Sequence, residues 1–190
     1  MKNPFLIGER LYLRPLEEGD IPTCLRWIND PEVNRTLSFY RPINELRERE
    51  WFERLYRDDR EIVLAIIVQG KDKHIGNIGL HGIDWKDRQA ELGIMIGEKG
   101  EWDKGYGTEA VRLMLGYGFE RLGLHRIYLR VYANNLRAIR CYEKAGFRRE
   151  GVLRESHFAE RRYWDTIIMG LLEEEWQELR SGSGDRGTLV

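Results

Sequence analysis

Apolar and polar positions alternate over residues 9–16, with Leu11 and Leu13 on one side and Arg10, Tyr12 and Arg14 on the other. This pattern predicts a strand that Pro15 ends. Asp20 then stands as the cap of a helix carrying Ile21, Cys24, Leu25 and Ile28 at helical spacing, stopped by Asn29-Asp30-Pro31. Residues 33–42 read as a loop. Leu46, Trp51, Phe52 and Leu55 give a second helix its apolar side over about residues 44–57. Residues 62–68 are an unbroken apolar run, the pattern of a buried strand. A turn at 70–73 makes a hairpin with 74–83, and 84–87 turns again into a strand with Leu92, Ile94, Met95 and Ile96.

A polar, glycine-rich loop follows, and then Val111, Met114, Leu115, Gly118, Phe119 and Leu122 mark a helix over 108–122, capped at its end by Gly123. Residues 125–131 read as a strand. Asn134-Asn135 open a helix with Leu136, Ile139, Tyr142 and Ala145 that Gly146 closes. Strands at 147–158 and 163–172 turn about 159–162, and a short helix occupies 173–179. The order β-α-α-β-β-β-α-β-α-β-β predicts one α+β domain over residues 1–180, with a mostly antiparallel sheet and one parallel crossover. Residues 181–190 form a tail too polar to pack.

At 190 residues the chain is long enough to bury a core, and 42% apolar with 33% charged residues fits a soluble globular protein. A formal net charge of −1 argues against a surface-wide nucleic-acid interface. No N-terminal targeting pattern or membrane-length apolar run is present, so a cytoplasmic location with no membrane partner is expected. Cys24 and Cys141 both fall in amphipathic helical patterns as buried free thiols, and neither they nor the four scattered histidines have metal-ligand spacing.

The chemistry concentrates between Ala90 and Ala110. A strand, a loop of Trp102-Asp103-Lys104-Gly105-Tyr106-Gly107-Thr108 and a helix follow one another. The first N–H groups of that helix have no acceptor within it and lie at the positive end of its dipole, so the loop is an anion site suited to a pyrophosphate. Gly105 and Gly107 let a phosphate come close. A Walker A loop would need Lys-Ser/Thr after the last glycine, and Gly107 is followed by Thr108-Glu109. Gly105-x-Gly107-x-x-Ala110 fits the dinucleotide fingerprint, but the next strand carries Arg126 and Arg130 where a ribose-binding acid belongs, and too little chain remains for a doubly wound sheet. Coenzyme A is the remaining nucleotide.

Two blocks, Trp102-Asp-Lys-Gly105-Tyr-Gly107-Thr-Glu-Ala and Val131-Tyr-Ala-Asn-Asn135-Leu-Arg-Ala138-Ile-Arg-Cys-Tyr142-Glu-Lys-Ala-Gly146-Phe147, resemble in this order the acetyl-CoA segments of the Gcn5-related N-acetyltransferase (GNAT) superfamily. The resemblance covers about residues 7–178. Leu13-Arg14-Pro15-Leu16, Trp27-Ile28-Asn29-Asp30-Pro31 and Glu150-Gly151-Val152-Leu153-Arg154 are similar to the branch of ribosomal-protein N-terminal and spermidine acetyltransferases. Trp102 departs from the Arg or Gln that usually opens the loop. The resemblance implies a GNAT fold, a mostly antiparallel seven-stranded sheet flanked by four helices, with a splayed strand pair forming the acetyl-CoA cleft. It also allows a homodimer, as members of that branch often form.

The resemblance further implies roles. Ile94, Met95 and Ile96 would bind the pantetheine arm through their backbone, one N–H polarising the thioester carbonyl. Residues 102–108 would hold the diphosphate, Asn135 would cap its helix and touch pantetheine, and Arg137 and Arg140 would either reach the 3′-phosphate or stay solvated. Glu91 stands where related histone acetyltransferases place a general base, directly or through water. Tyr142 would protonate the departing thiolate, either with a lowered pKa or in concert with bond cleavage. Glu109 reads as a first-turn partner of the helix dipole. The acceptor pocket is expected from Trp27, Phe39, Tyr40, His157, Arg162, Trp164 and Asp165. The predicted reaction is direct acetyl transfer from acetyl-CoA to a primary amine without metal, foremost a protein N-terminal amine, with a polyamine or other small amine as the alternative. A non-catalytic acyl-CoA-binding module is the rival from another class.

Overall fold

The computed structural model describes residues 1–183; the rest of the tail expected at 181–190 lies outside them. The chain runs β1 (Leu6–Ile7), β2 (Leu11–Pro15), α1 (Ile21–Ile28), α2 (Pro31–Asn34), α3 (Glu45–Leu55), β3 (Ile62–Val68), β4 (Lys73–Asp84) and β5 (Gln89–Ile96). It continues with α4 (Tyr106–Gly116), β6 (Arg126–Tyr132), α5 (Leu136–Ala145), β7 (Arg148–Ala159), β8 (Arg162–Leu172) and α6 (Glu173–Ser183). The strands make one sheet in the order β1-β2-β3-β4-β5-β6-β8-β7. Its eighth strand, beyond the seven expected, is the two-residue β1, too short to show a period.

The period-2 pattern sorts the sheet's two faces. Leu11, Leu13, Leu64, Ile66 and Val68 pack with Ala110, Val111 and Met114 of α4, while Tyr12, Val63, Ala65 and Ile67 pack with Cys24 of α1 and Leu55 of α3. With helices on both sides, β3 has no polar face, which is why its sequence is apolar throughout.

Four helix boundaries differ from expectation. Helix α4 begins at Tyr106 and passes after Gly116 into a π-helical turn over Tyr117–Arg121, where a single helix over 108–122 was expected. Asp30 does more than end α1: its carboxylate accepts from the N–H of Glu32 and Val33 and, with Pro31 at the first position, starts α2 inside the expected loop. Asp20 stands at the N-cap of α1 as expected, but its side chain makes no capping bond; its carboxylate takes the forked guanidinium of Arg14 at 2.7 and 2.8 Å and the N–H of Glu17. Helix α6 continues past Leu179 to Ser183, so Ser181 to Ser183 belong to it and not to the tail. The caps read at Asn135 and Gly146 are present: Asn135 accepts from the N–H of Ala138, and Gly146 ends α5 at φ 108°.

One junction positions everything else. β5 and β6 are the parallel pair, and they share only Gln89↔Arg126, Ala90↔Ile127 and Glu91↔Tyr128. Past Glu91, β5 stays with β4 to Gly76↔Ile96, while β6 follows β8 to Tyr132↔Thr166. The two strands part into a cleft. Gly76 helps shape it, because a Cβ there would lie 2.1 Å from the Met95 carbonyl oxygen.

Candidate active site

The splay opens a cleft of about 600 Å³ between β5, the loop before α4, and α5. Helix α4 enters it through Gly105, whose φ of 82° is left-handed and lacks a side-chain cap. The first backbone bond of the helix is Glu109 N–H to Gly105 O, so the N–H groups of Tyr106, Gly107 and Thr108 remain for a ligand. The loop is braced from outside. Arg10 donates to the Lys104 carbonyl at 2.9 Å and lies over the Tyr106 ring, and Glu109 accepts from Arg10 Nε and from the N–H of Arg10 and Leu11. Glu109 therefore ties the N-terminal strands to α4.

Trp102, the departure from the family loop, has its own restraints. Its indole N–H donates to the Ile96 carbonyl at 2.7 Å, and the Arg137 guanidinium lies 3.7 Å from its ring centroid. Burial lowers the pKa of Arg137, opposed by the nearby Asp103. The ring thus locks the end of β5 to α5 across the mouth of the cleft.

Glu91 sits where the strands part. Both its oxygens are taken by Arg130, from Nε at 2.9 Å and Nη2 at 2.8 Å. The carboxylate in turn raises the pKa of Arg130. Tyr142 on α5 is buried and lines the same cleft, and its hydroxyl has no hydrogen-bond partner among the described residues. Burial raises its pKa, with the neighbouring Cys141 adding to the effect. This corrects the expectation of a lowered tyrosine pKa: in an apolar setting the charged phenolate is disfavoured, and the hydroxyl stays a donor. Cys141 also lines the cleft, its thiol pKa raised by burial, with Thr108 Oγ1 as its partner at 3.5 Å.

Ile94, Met95, Ile96, Trp102 and Asp103 line the cleft, as do Gly105, Tyr106, Gly107 and Thr108. So do Asn135, Arg137 and Arg140. Lys104 instead turns to Glu101, and the Ile96 carbonyl is occupied by Trp102. Phe39, Tyr40 and His157 line an adjoining pocket of about 430 Å³. Four expected acceptor residues, Trp27, Arg162, Trp164 and Asp165, lie elsewhere. Trp27 is 3% exposed and packs edge-on to His74 in the core. Trp164 lies under the Arg162 guanidinium, and Asp165 accepts from the Glu155 N–H to hold the β7–β8 hairpin. An aromatic side chain has the same sequence signature in a core as in a pocket. The sequence reading missed Val33, Thr36, Leu37 and Ser38 on the α2 side and Ser156 and Thr166 on the hairpin. The period-2 row Tyr128, Arg130, Tyr132 on β6 was a usable signal for the Glu91 partner.

The match of residues 10–148 to the Acetyltransferase (GNAT) domain model places the chain in the GNAT acetyltransferases, and it is an N-acetyltransferase that uses acetyl-CoA. It is 31% identical over 173 residues to the spermidine N(1)-acetyltransferase of Vibrio cholerae, covering 90% of this chain and 97% of that one. It is equally 31% identical over 178 residues to YdaF of Bacillus subtilis, named provisionally as a ribosomal N-acetyltransferase (90% and 96% covered). The crystal structure of the Vibrio cholerae spermidine N-acetyltransferase with CoA and spermine superposes with a TM-score of 0.83 at 29% identity, covering 90% of this chain and 99% of that one.

Proposed function

We propose that this enzyme acetylates the α-amino group of a protein N-terminus by direct attack on acetyl-CoA. The wall of the cleft opposite the coenzyme loop is the observation that carries this reading. Val33, Leu37 and Leu153 supply apolar surface there, and Thr36, Ser38 and Ser156 supply hydroxyls. The acidic residues lining the cleft are Glu91, Glu101 and Asp103. Glu91 is taken by Arg130, Glu101 by Lys73 and Lys104, and Asp103 belongs to the coenzyme loop. A polyamine carries a charge on each nitrogen and calls for a row of free carboxylates; a single α-amine on a peptide does not.

The residues divide the work. N–H groups at the start of α4 hold the diphosphate, and the β5 edge beyond Glu91 lies along the pantetheine arm, where the Met95 N–H polarises the thioester carbonyl. Glu91, oriented by Arg130, orders the water that draws a proton from the amine. At pH 7.5 an α-amine of pKa about 7.8 is roughly one-third neutral, against about one in a thousand for an alkyl amine of pKa about 10.4, so a weak base suffices. As the C–S bond breaks, Tyr142 gives its proton to the sulfur and regains one from solvent. A free tyrosine is a weaker acid than a thiol by about 2 kcal/mol, and burial widens that gap, so the proton moves in concert with bond cleavage.

The kinship to spermidine acetyltransferases favours the second reading, a polyamine acceptor. CoA release measured with N-terminal peptides, spermidine, spermine and aminoglycosides decides between them. Peptide turnover at kcat/KM at least tenfold above that of any polyamine is expected, and the reverse order overturns the proposal.

A further inference from the structure

Glu91 is a hindered final resting place for a proton, because protonation there would break at least one of its two bonds to Arg130. A second titratable pair stands beside it. His81 is directly opposite Glu91 in the β4–β5 register, so both side chains rise from the same face of the sheet. The imidazole Nδ1 is 2.5 Å from Glu61 Oε2, and the other Glu61 oxygen accepts from the Gly82 N–H at 3.1 Å. Glu61 thereby fixes the ring and leaves Nε2 as the free nitrogen. That nitrogen overlies Gly79 and Gly93: a Cβ on either glycine would lie 3.0 Å from it. Gly93 lines the cleft, and the imidazole is partly open to solvent.

We propose that the Glu61–His81 pair is the proton relay of the transfer, carrying the acceptor's proton from the water at Glu91 out to solvent. This rests on the acetyl-transfer reading above. The overall reaction takes an ammonium and a thioester to an amide, a free thiol and one proton. Tyr142 supplies the thiol's hydrogen and is reprotonated from solvent. The amine loses two protons in all: the first passes through water to His81 Nε2 before attack, making an imidazolium opposite Glu61, and the second leaves the nitrogen of the tetrahedral intermediate to water, matching the one that Tyr142 regains. Release of that proton to bulk water resets the ring. The charged groups facing His81 are Glu61, just before β3, and Glu91 from β5, with Arg130 of β6 behind Glu91.

The test uses His81→Gln and Glu61→Gln in the full chain, with a peptide acceptor, from pH 6 to 9.5. His81→Gln is expected to lower kcat/KM for the amine by about 10²-fold at pH 7, with the acetyl-CoA KM and melting temperature unchanged. The deficit should shrink as pH rises, because the amine then arrives neutral. Glu61→Gln should fall between the two, and added imidazole should restore part of the rate to His81→Ala. A folded His81→Gln enzyme whose pH–rate profile superimposes on the wild type overturns the relay and leaves the transfer reading standing. A wild-type enzyme that binds acetyl-CoA and turns over no amine overturns the transfer reading, and the relay with it.

Discussion

Arg130 holds both oxygens of Glu91 in a fork at the residue where β5 and β6 cease to pair. The pair joins the two halves of the sheet at their last common rung and fixes a carboxylate at the base of the cleft. Glu91→Gln keeps the shape and removes the charge. It is expected to lower kcat/KM for the amine by about tenfold, with the acetyl-CoA KM unchanged. Steady-state CoA release gives the answer; an unchanged kcat/KM removes Glu91 from the proton path.

Tyr142→Phe deletes a hydroxyl that has no hydrogen-bond partner among the described residues, so stability should hold while chemistry suffers. We expect kcat to fall by about 10²-fold with little change in either KM and a melting temperature within about 2 °C of the wild type. Because burial raises the pKa of this phenol, its donor form persists as pH rises toward 10. The wild-type kcat should therefore show no falling alkaline limb below pH 10, and a limb near 8.5 would contradict the assignment.

Trp102→Ala breaks both the bond to the Ile96 carbonyl and the stack with Arg137. A hydrogen bond of about 1 kcal/mol and a cation–π contact of similar size predict coenzyme binding weakened by about tenfold or more. Calorimetric titration with CoA measures it, and kcat at saturating acetyl-CoA should be nearly unchanged.

Gly105→Ala places a Cβ at φ 82° and 3.2 Å from an Arg10 nitrogen. The left-handed backbone alone costs about 1 kcal/mol. Loss of CoA affinity together with a lower melting temperature is expected; normal values of both would place the anion site elsewhere.

Asp20 gives an acid-stability prediction. Burial would raise its pKa, but the Arg14 fork, His74 and the Glu17 N–H outweigh it and hold the carboxyl far below the usual range. A depressed folded-state value contributes stability above the unfolded pKa near 3.9, and that contribution is lost as pH falls further. Asp20→Asn, which strands Arg14, should cost about 3 kcal/mol at pH 7. The gap in melting temperature from the wild type should narrow steadily below pH 4.

The sequence by itself determined the order and type of nearly every element, because those follow from local periods and caps: the two-residue alternation of β2, the helical spacing in α4 and α5, Asn135 and Gly146. It also located the glycine loop that opens α4, since N–H groups left unpaired at a helix start depend only on neighbouring residues. Tertiary structure alone decided what depends on register and burial. Glu91 meets Arg130 only because two strands 39 residues apart align for three rungs and then separate. Trp27 is core and Phe39 faces a pocket, although the two are alike in composition, because packing assigns an aromatic its surroundings. The direction of the Tyr142 shift belongs here too, for the cost of charging a group is set by everything folded around it.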